Sequence, residues 1–318
     1  MTNILQLEVS SIRSEAKDVL VLELRARSGV PLPAFSAGSH LEVNLGNGLI
    51  RHYSLCNDPA ERDRYCIGVG LAPSSRGGSR RIHDLVRRGD LLSVSQPRNN
   101  FPLVADAEQY CFVAGGIGIT PILSMIRWCV AAGKRWQLFY CVRSRQRAAF
   151  YEDIKALGNT AAVHFHVDEE RAGQFFDAES ALRTVPATAH VYCCGPAPLM
   201  RAVQGAGRDR PSDHVHFEWF SAEPKTQEDL QAFDVVVRSS KQRFRVGADQ
   251  SILGVLEDNG ILLPSACREG LCGTCQVTVL SGIPDHRDTV LSAEQRASNQ
   301  TMLVCVSRAQ SEVLELDL

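Results

Sequence analysis

The chain has 318 residues, of which 44% are hydrophobic and 22% are charged. This length suits two or three domains of about 100 residues each rather than one core. The formal net charge of −2 argues against a nucleic-acid partner, and no apolar run approaches the roughly 20 residues that span a bilayer, so no membrane partner is expected either.

The first residues, Met1–Glu8, lack the basic region and the apolar core of a signal peptide. The chain contains 11 cysteines, an odd number. A disulfide framework is therefore disfavoured, and a reducing cytoplasm is the expected compartment.

Residues 5–103 contain short β-rich runs that are separated by turn residues. These runs are Val19–Leu24, His40–Leu45, Tyr65–Gly70 and Asp90–Ser95. The spacing predicts a small antiparallel barrel or sandwich.

Two stretches in this region have the chemistry of a flavin site. A flavin requires an aromatic or apolar face, a hydrogen-bond partner near N5, and a cation with free N–H groups for its phosphate. Arg51, Tyr53 and Ser54 offer the first groups from one strand, and Gly77–Ser79 open a short amphipathic helix whose N-terminus suits an anion. Taken alone, the first stretch also fits an ordinary exposed strand and the second an ordinary turn.

A glycine loop follows the buried run Tyr110–Ala114. It reads Gly115-Gly-Ile-Gly-Ile-Thr-Pro121, in which Thr120 is a suitable helix N-cap and Pro121 suits the first helical position. Such a loop between strand and helix brings the backbone close to a pyrophosphate. The pattern is not a full G-x-G-x-x-G, and a glycine loop can also be a simple turn.

Further runs at Gln137–Val142, Val163–Val167 and His190–Cys194 predict a parallel α/β sheet. The last run leads into the turn Cys194-Gly195-Pro196, and ligands of such sheets bind beyond the carboxyl ends of strands. Arg143 and Arg145 leave the second of the sheet's strands, where they could meet the adenosine ribose or a 2′-phosphate, or lie in a solvated loop.

The most specific motif is formed by Cys267, Cys272, Cys275 and Cys305. Four residues separate the first two cysteines, two separate the next pair, and 29 precede the last. This is the plant-type ligand spacing of a [2Fe-2S] cluster. Zinc is the alternative, but its usual spacing is two C-x2-4-C pairs, whereas here the fourth cysteine stands alone on an apolar segment.

The residues around this motif predict a β-grasp ferredoxin. Residues 221–230 are polar and contain a proline, as an interdomain linker does. The predicted elements are a hairpin over Phe233–Arg238 and Gln242–Val246, a helix over Ser251–Asp258 and a strand over Gln276–Leu280. A ubiquitin-like module without a cofactor would not explain three cysteines in one loop.

With these motifs in this order, the chain resembles the phthalate dioxygenase reductase and vanillate demethylase reductase family over essentially its whole length. The resemblance implies a multidomain fold: an antiparallel β-barrel flavin domain (1–104), an α/β parallel-sheet nucleotide domain (105–222), a linker (223–231) and a β-grasp [2Fe-2S] ferredoxin domain (232–318). It implies FMN rather than FAD, and NADH rather than NADPH, although Arg143 and Arg145 leave the last choice open.

The resemblance also assigns site residues. Those implied to bind cofactors are Arg51, Tyr53, Ser54, Leu55, Gly77, Gly78, Ser79, Gly115, Gly116, Gly118, Thr120, Pro121, Cys194, Gly195, Pro196 and Phe220. Ser54, Cys194 and Phe220 are implied to act in hydride transfer, with Phe220 covering the flavin where nicotinamide enters. Trp219 lies beside Phe220, so either aromatic could be the cover. Cys267, Cys272, Cys275 and Cys305 are the implied iron ligands.

The implied activity is electron transfer from NADH through FMN and the cluster to an oxygenase with a Rieske centre, whose own chemistry decides the substrate. Two alternatives stay open at this point. One is a reductase for a cytochrome P450 or a separate ferredoxin, and the other is a redox-sensing protein that does not turn over.

Overall fold

The computed structural model describes residues 4–46, 48–72, 77–157, 162–220 and 231–318. The chain forms two compact units, a first unit of Met1–Phe220 and a second unit of Ser221–Leu318. Most of the predicted linker lies outside the described residues, as do Ser75 and Arg76, which precede the predicted phosphate turn. The predicted domain boundaries therefore stay predictions.

The first part of the first unit is an antiparallel barrel. Its elements are β1 (Ile4–Ala16), β2 (Val19–Arg25), β3 (His40–Asn44), β4 (Ile50–Ser54), β5 (Tyr65–Gly70), α1 (Gly78–Leu85) and β6 (Leu91–Ser95). Among the described residues the strand order is β4-β3-β6-β1-β2-β5. The sheet closes on itself because Leu55, just after β4, pairs with Ile67 of β5. This confirms the predicted barrel.

The second part of the first unit is a parallel sheet with helices between its strands. Its elements are β7 (Gln109–Gly115), α2 (Ile119–Ala131), β8 (Arg135–Val142), α3 (Tyr151–Leu157), β9 (Val163–Val167), α4 (Ala178–Arg183), β10 (His190–Cys194), α5 (Ala197–Ala206) and β11 (Val215–Glu218). The described strands lie in the order β11-β10-β7-β8-β9 and are all parallel. The strand order reverses between β7 and β10, and ligands of open α/β sheets bind at such a switch point.

The barrel and the parallel sheet share one hydrophobic core. Val21 of β2 and Phe101 belong to the same buried cluster as Phe112 of β7. A hydrogen bond adds to this packing, since the Phe150 N–H donates to the Glu15 side chain at Oε1 over 2.9 Å. Side chains at the ends of both sheets are therefore held in fixed positions relative to one another.

The start of α2 differs from the sequence prediction. A 3₁₀ turn over Gly116–Gly118 runs directly into the helix, and Gly118 occupies the N-cap position. Thr120 is therefore already inside the helix, and its Oγ1 donates to the Ile117 carbonyl at 2.9 Å. The prediction of Thr120 as N-cap and Pro121 as first helical residue was wrong because the tight turn before the helix supplies the cap.

The second unit has the β-grasp arrangement. Its elements are β12 (Phe233–Val237), β13 (Arg243–Val246), α6 (Ile252–Asp258), β14 (Gln276–Ser281), β15 (Pro284–Asp285), α7 (Ala293–Ser298), β16 (Thr301–Leu303), β17 (Arg308–Ala309) and β18 (Val313–Leu316). The described strands of its main sheet lie in the order β13-β12-β18-β14-β16. β12 and β13 form the predicted hairpin, and β18 inserts parallel to β12.

The helix α6 lies over this sheet with Ile252 and Leu256 in the core. The Ser251 side chain caps it by accepting from the Gly254 N–H. In the described parts of both units, no helix has the length and apolar character needed to cross a bilayer.

Candidate active site

The first feature of the site is a cradle formed by Arg51 and the N-terminal turn of α1. Gly77 has a φ of 91°, a left-handed conformation that favours glycine. A Cβ on Gly78 would lie 2.5 Å from Arg51 Cγ, so only glycine lets the arginine lie across the turn. The structure therefore brings the predicted cation to the predicted phosphate turn, and this combination fits a flavin phosphate.

The rest of the predicted flavin stretch lies at the end of β4. Tyr53 is half-buried, and burial raises the pKa of its hydroxyl, so the ring stays neutral. Leu55 is fully buried and contributes to barrel closure rather than to an open face. Ser54 is buried at the strand end.

The side chain of Ser54 meets an acid that the sequence analysis did not identify. Ser54 Oγ donates to Oε2 of Glu218, at the carboxyl end of β11, over 3.4 Å. Burial raises the pKa of Glu218 to about 8, and the hydrogen bond from Ser54 opposes that rise only in part. At neutral pH the Glu218 carboxyl therefore holds a proton.

Cys194 completes this group. It is paired in register with Glu218 across the β10–β11 ladder. The thiol is buried, and burial holds its pKa well above the usual value; once Glu218 ionises, its carboxylate adds to this rise. Cys194 is therefore a neutral packing group at the switch point and not a thiolate nucleophile.

The two predicted glycine turns pack directly against each other. A Cβ on Gly118 would lie 2.2 Å from the carbonyl oxygen of Cys194, and a Cβ on Gly115 would lie 2.5 Å from Cδ of Pro196. A Cβ on Gly116, by contrast, would meet nothing within 4 Å. Gly115, Gly118 and Gly195 are thus needed for close packing of the turns, while Gly116 leaves open space beside the backbone.

The aromatic residues at the end of the first unit differ in their environment. Trp219 is half-buried and packs against the hydrophobic cluster of β10 and α5. Phe220, by contrast, is 41% exposed. Of the two, Phe220 is the one whose ring is not already part of a core, which favours it as the predicted cover.

The predicted adenosine end of the site carries an ion pair. Arg145 Nη2 donates to Glu170 Oε2 at 2.9 Å, and Nη1 contacts the Tyr151 hydroxyl at 3.1 Å. Arg143 is exposed, and its backbone carbonyl accepts from the Glu169 N–H. The charge of Arg145 is therefore neutralised by Glu170, which follows β9 in the chain.

In the second unit the four predicted iron ligands form two pairs. Cys267 hydrogen-bonds with Cys272, which raises the Cys267 pKa together with burial. Cys305 hydrogen-bonds with Cys275, which raises the pKa of Cys305 and lowers that of Cys275. The Glu269 and Leu271 N–H groups each donate to Cys267 Sγ at 3.4 Å.

This pairing distinguishes the two kinds of site considered for the cysteines. Zinc would need four ligands converging on one ion, and among the described residues no group of three or more His, Cys, Asp or Glu side chains is placed to hold one ion. A [2Fe-2S] cluster needs two thiolates for each of two irons, so two pairs fit it. Cys305 lies just past β16 rather than on it.

The chain matches two known domain models. Residues 112–205 match an oxidoreductase NAD-binding domain, and residues 235–310 match a 2Fe-2S iron-sulfur cluster binding domain. The fold, the switch-point site and the paired cysteines thus define an NADH-dependent flavin and iron-sulfur oxidoreductase.

Relatives and solved structures cover the chain almost completely. The tetrachlorobenzoquinone reductase of Sphingobium chlorophenolicum is 43% identical over 99% of this chain and 98% of its own length. The structure of phthalate dioxygenase reductase is 40% identical, with a TM-score of 0.75 and coverage of 99% and 98%. That of an intact type IV self-sufficient cytochrome P450 monooxygenase is 41% identical, with a TM-score of 0.88; it covers 99% of this chain, which spans 41% of that protein.

The chain belongs to the family of phthalate dioxygenase reductase and vanillate O-demethylase oxidoreductase. This membership confirms the predicted class of enzyme, its fold, its set of FMN, NADH and [2Fe-2S] cofactors, and an oxygenase system as its setting.

Proposed function

We propose that this protein acts in the cytoplasm as the reductase of an oxygenase that contains a Rieske centre. The observation that carries the proposal is the meeting of Ser54, Cys194 and Glu218 at the switch point of the nucleotide sheet, in a chain that also holds a plant-type set of four cysteines. A hydride donor and a one-electron acceptor can be connected only by a cofactor that handles both kinds of transfer.

The residues of the first unit would place the flavin and the nucleotide. FMN, when bound, accepts a hydride from nicotinamide and releases electrons singly. Arg51 and the N–H groups of Gly77–Ser79 bind its phosphate. The Ser54 hydroxyl is positioned to donate near the reacting edge of the ring, and Glu218 holds a proton beside that hydroxyl at neutral pH.

Two further groups would order the nucleotide. Phe220 covers the flavin until nicotinamide displaces it, because its ring is exposed whereas Trp219 is packed. At the other end, Glu170 neutralises Arg145 and would repel a 2′-phosphate, which supports NADH over NADPH. In the second unit, the pairs Cys267–Cys272 and Cys275–Cys305 would each hold one iron.

Truncation after about Leu230 tests the order of electron flow. The first unit has its own core, so the shortened protein should stay soluble, keep FMN and still reduce ferricyanide with NADH. It should lose nearly all reduction of cytochrome c and of a Rieske oxygenase, because the cluster is gone. Equal oxygenase reduction by the shortened and the full chain would contradict the proposal.

A second candidate acceptor is a cytochrome P450. The match to the self-sufficient P450 monooxygenase favours it, since nearly the whole of this chain resembles part of that protein. Purified reductase mixed with a Rieske oxygenase or with a soluble P450 would separate the two acceptors. Faster NADH-dependent reduction of the P450 haem than of the Rieske centre would favour this second candidate.

A further inference from the structure

A tight turn over residues 288–291 lies against the loop that carries the cysteines. Its first residue, Asp288, is only 4% exposed. Oδ2 of Asp288 accepts from the Val290 N–H at 2.9 Å and from the Leu291 N–H at 2.8 Å. One buried carboxylate oxygen therefore fixes the course of the backbone through the turn.

The turn is held from its other side by the helix that follows it. Arg296 of α7 donates through Nη2 to the Asp288 backbone carbonyl at 2.8 Å and to Oδ2 at 3.5 Å. The first turn of α7 is fixed by a reciprocal capping box between Ser292 and Gln295. Arg296 thus fastens the turn to a capped helix.

The 288–291 turn also holds the cysteine loop, and it does so at Gly270. The Thr289 N–H donates to the Gly270 carbonyl at 3.0 Å. Gly270 has a φ of 70°, and a Cβ there would lie 2.5 Å from Val306 Cγ2 and 3.0 Å from the Asp288 Cα. The loop therefore packs against the turn at Gly270, where the turn leaves no room for a side chain.

The position of Gly270 matters for the thiolates. The Gly270 carbonyl and the Leu271 N–H belong to the same peptide group, and this N–H and that of Glu269 each donate to Cys267 Sγ at 3.4 Å. Hydrogen bonds to cluster sulfurs are among the factors that set the reduction potential of an iron-sulfur centre. Groups that orient such donors act on the potential without touching the cluster.

We propose that Asp288 is a positioning residue for the [2Fe-2S] cluster: by shaping the 288–291 turn, it holds the Gly270–Leu271 peptide with the Leu271 N–H toward Cys267 and so raises the reduction potential. This inference rests on the proposed assignment of the four cysteines as the cluster ligands. Arg296 and Thr289 contribute to the same positioning. Arg296 fixes the turn through its hydrogen bonds to Asp288, and Thr289 donates to the Gly270 carbonyl.

The test compares Asp288→Ala with Asp288→Asn in the full-length holoprotein. Both variants remove the negative charge, so its effect on the potential cancels between them. Only asparagine keeps an acceptor for the Val290 and Leu291 N–H groups. We expect the equilibrium constant for cluster reduction to be about tenfold lower in the alanine variant than in the asparagine variant, which is about 59 mV for one electron.

Two more readouts separate positioning from simple destabilisation. The electron paramagnetic resonance spectrum of the reduced alanine variant should differ from that of the asparagine variant, and its iron should be lost faster to a chelator. The matched control is the pair Asp285→Ala and Asp285→Asn on β15, where the carboxylate pairs with Arg287 instead. That pair should show no difference in potential.

Equal potentials and spectra in Asp288→Ala and Asp288→Asn would overturn the inference, even if the alanine variant melts at a lower temperature. If Asp288→Ala fails to assemble a cluster, the potential of Arg296→Lys provides the test. Lysine keeps the positive charge, but its shorter side chain loses the hydrogen bonds to Asp288. The potential of this variant should fall, and an unchanged value would overturn the inference. A wild-type protein without iron and sulfide would instead defeat the proposed function.

Discussion

The two units hold their reactive groups in different ways. In the first unit, Ser54 of the barrel and Glu218 of the parallel sheet meet although they are 164 residues apart. In the second unit, three of the four proposed ligands lie in one loop, and Cys275 and Cys305 belong to the hydrophobic core itself. The site of the first unit lies at the ends of two sheets whose core does not depend on it. The site of the second unit contributes two of its cysteines to the core.

This difference has consequences for how each unit responds to damage. Removing a polar group from the first site should change chemistry and leave the shared core of the barrel and the parallel sheet intact. Removing a thiolate from the second site takes away both a ligand and buried contacts, so binding of the cluster and folding of the unit are linked there.

The largest expected effect comes from Cys272→Ser. We expect it to lose nearly all iron and labile sulfide and the cluster's visible absorbance, because one iron then has a single thiolate. The flavin should remain bound, since its groups lie in the first unit. Metal analysis and absorbance spectra check both points, and loss of flavin along with iron would show that the two sites are not independent.

Ser54→Ala should have the next largest effect. We expect reduction of the flavin by NADH to slow by roughly 10- to 1000-fold, because a hydrogen bond that strengthens as charge develops is lost. Rapid-mixing absorbance measures the rate. Ser95→Ala is the control, since Ser95 is also a buried serine of the barrel but donates to the Gln96 carbonyl at 2.8 Å. An unchanged rate in Ser54→Ala would reject the assigned role.

Gly118→Ala probes the packing between the two glycine turns. The added Cβ would lie 2.2 Å from a backbone oxygen that has little freedom to move, so the free energy of unfolding should fall by about 3 kcal/mol. Gly205→Ala in α5, where nothing lies within 4 Å, should instead raise it by about 0.5 to 1 kcal/mol. Denaturant unfolding of both variants measures the difference, and equal stabilities would contradict the packing argument.

The smallest effect concerns pH. The pKa of Glu218 is raised to about 8 in the folded chain from an ordinary value of 4.5. Its contribution to stability is therefore fully present below pH 4.5 and is lost as the pH rises through 8. In flavin-free protein, Glu218→Gln should reduce the stability lost between pH 6 and pH 9 by about 1 to 2 kcal/mol, less than the full shift implies because the side chain is only half-buried. An equal loss of unfolding free energy between pH 6 and pH 9 in the variant and the wild type would contradict this.

The sequence was most informative where a pattern is local. The [2Fe-2S] cluster was predicted from the spacing of four cysteines, and the matched domain confirms it, while buried strands such as β7 follow from continuous apolar runs. Arg51 and the turn at Gly77 were predicted to act together, and the Cβ clash at Gly78 with Arg51 shows that they are adjacent. In each of these cases the short stretch of sequence around the residue already specifies its local conformation.

Other features depend on long-range packing and could not be predicted in this way. Glu218 belongs to β11, a short strand of alternating apolar and polar residues that carries no functional motif. Its role is visible only in the folded sheet, where it lies beside β10. The cap of α2 was assigned to Thr120 because side-chain preference favours it, but the 3₁₀ turn at Gly116–Gly118 depends on the close fit of Gly118 against Cys194. The position of β18 beside β12 was predicted only through the β-grasp fold, since its own short run was not singled out in the sequence.

That central position of β18 bears on how the protein is made. Because β12 pairs with β18, the middle of the second unit's sheet cannot form until the whole cysteine loop and the segment after it have left the ribosome. The first unit, in contrast, has all its strands available much earlier and can fold during synthesis. The thiols therefore emerge before the scaffold that arranges them exists, so iron and sulfide can be inserted only after β18 has been synthesised, and the nascent cysteines must be kept reduced until then.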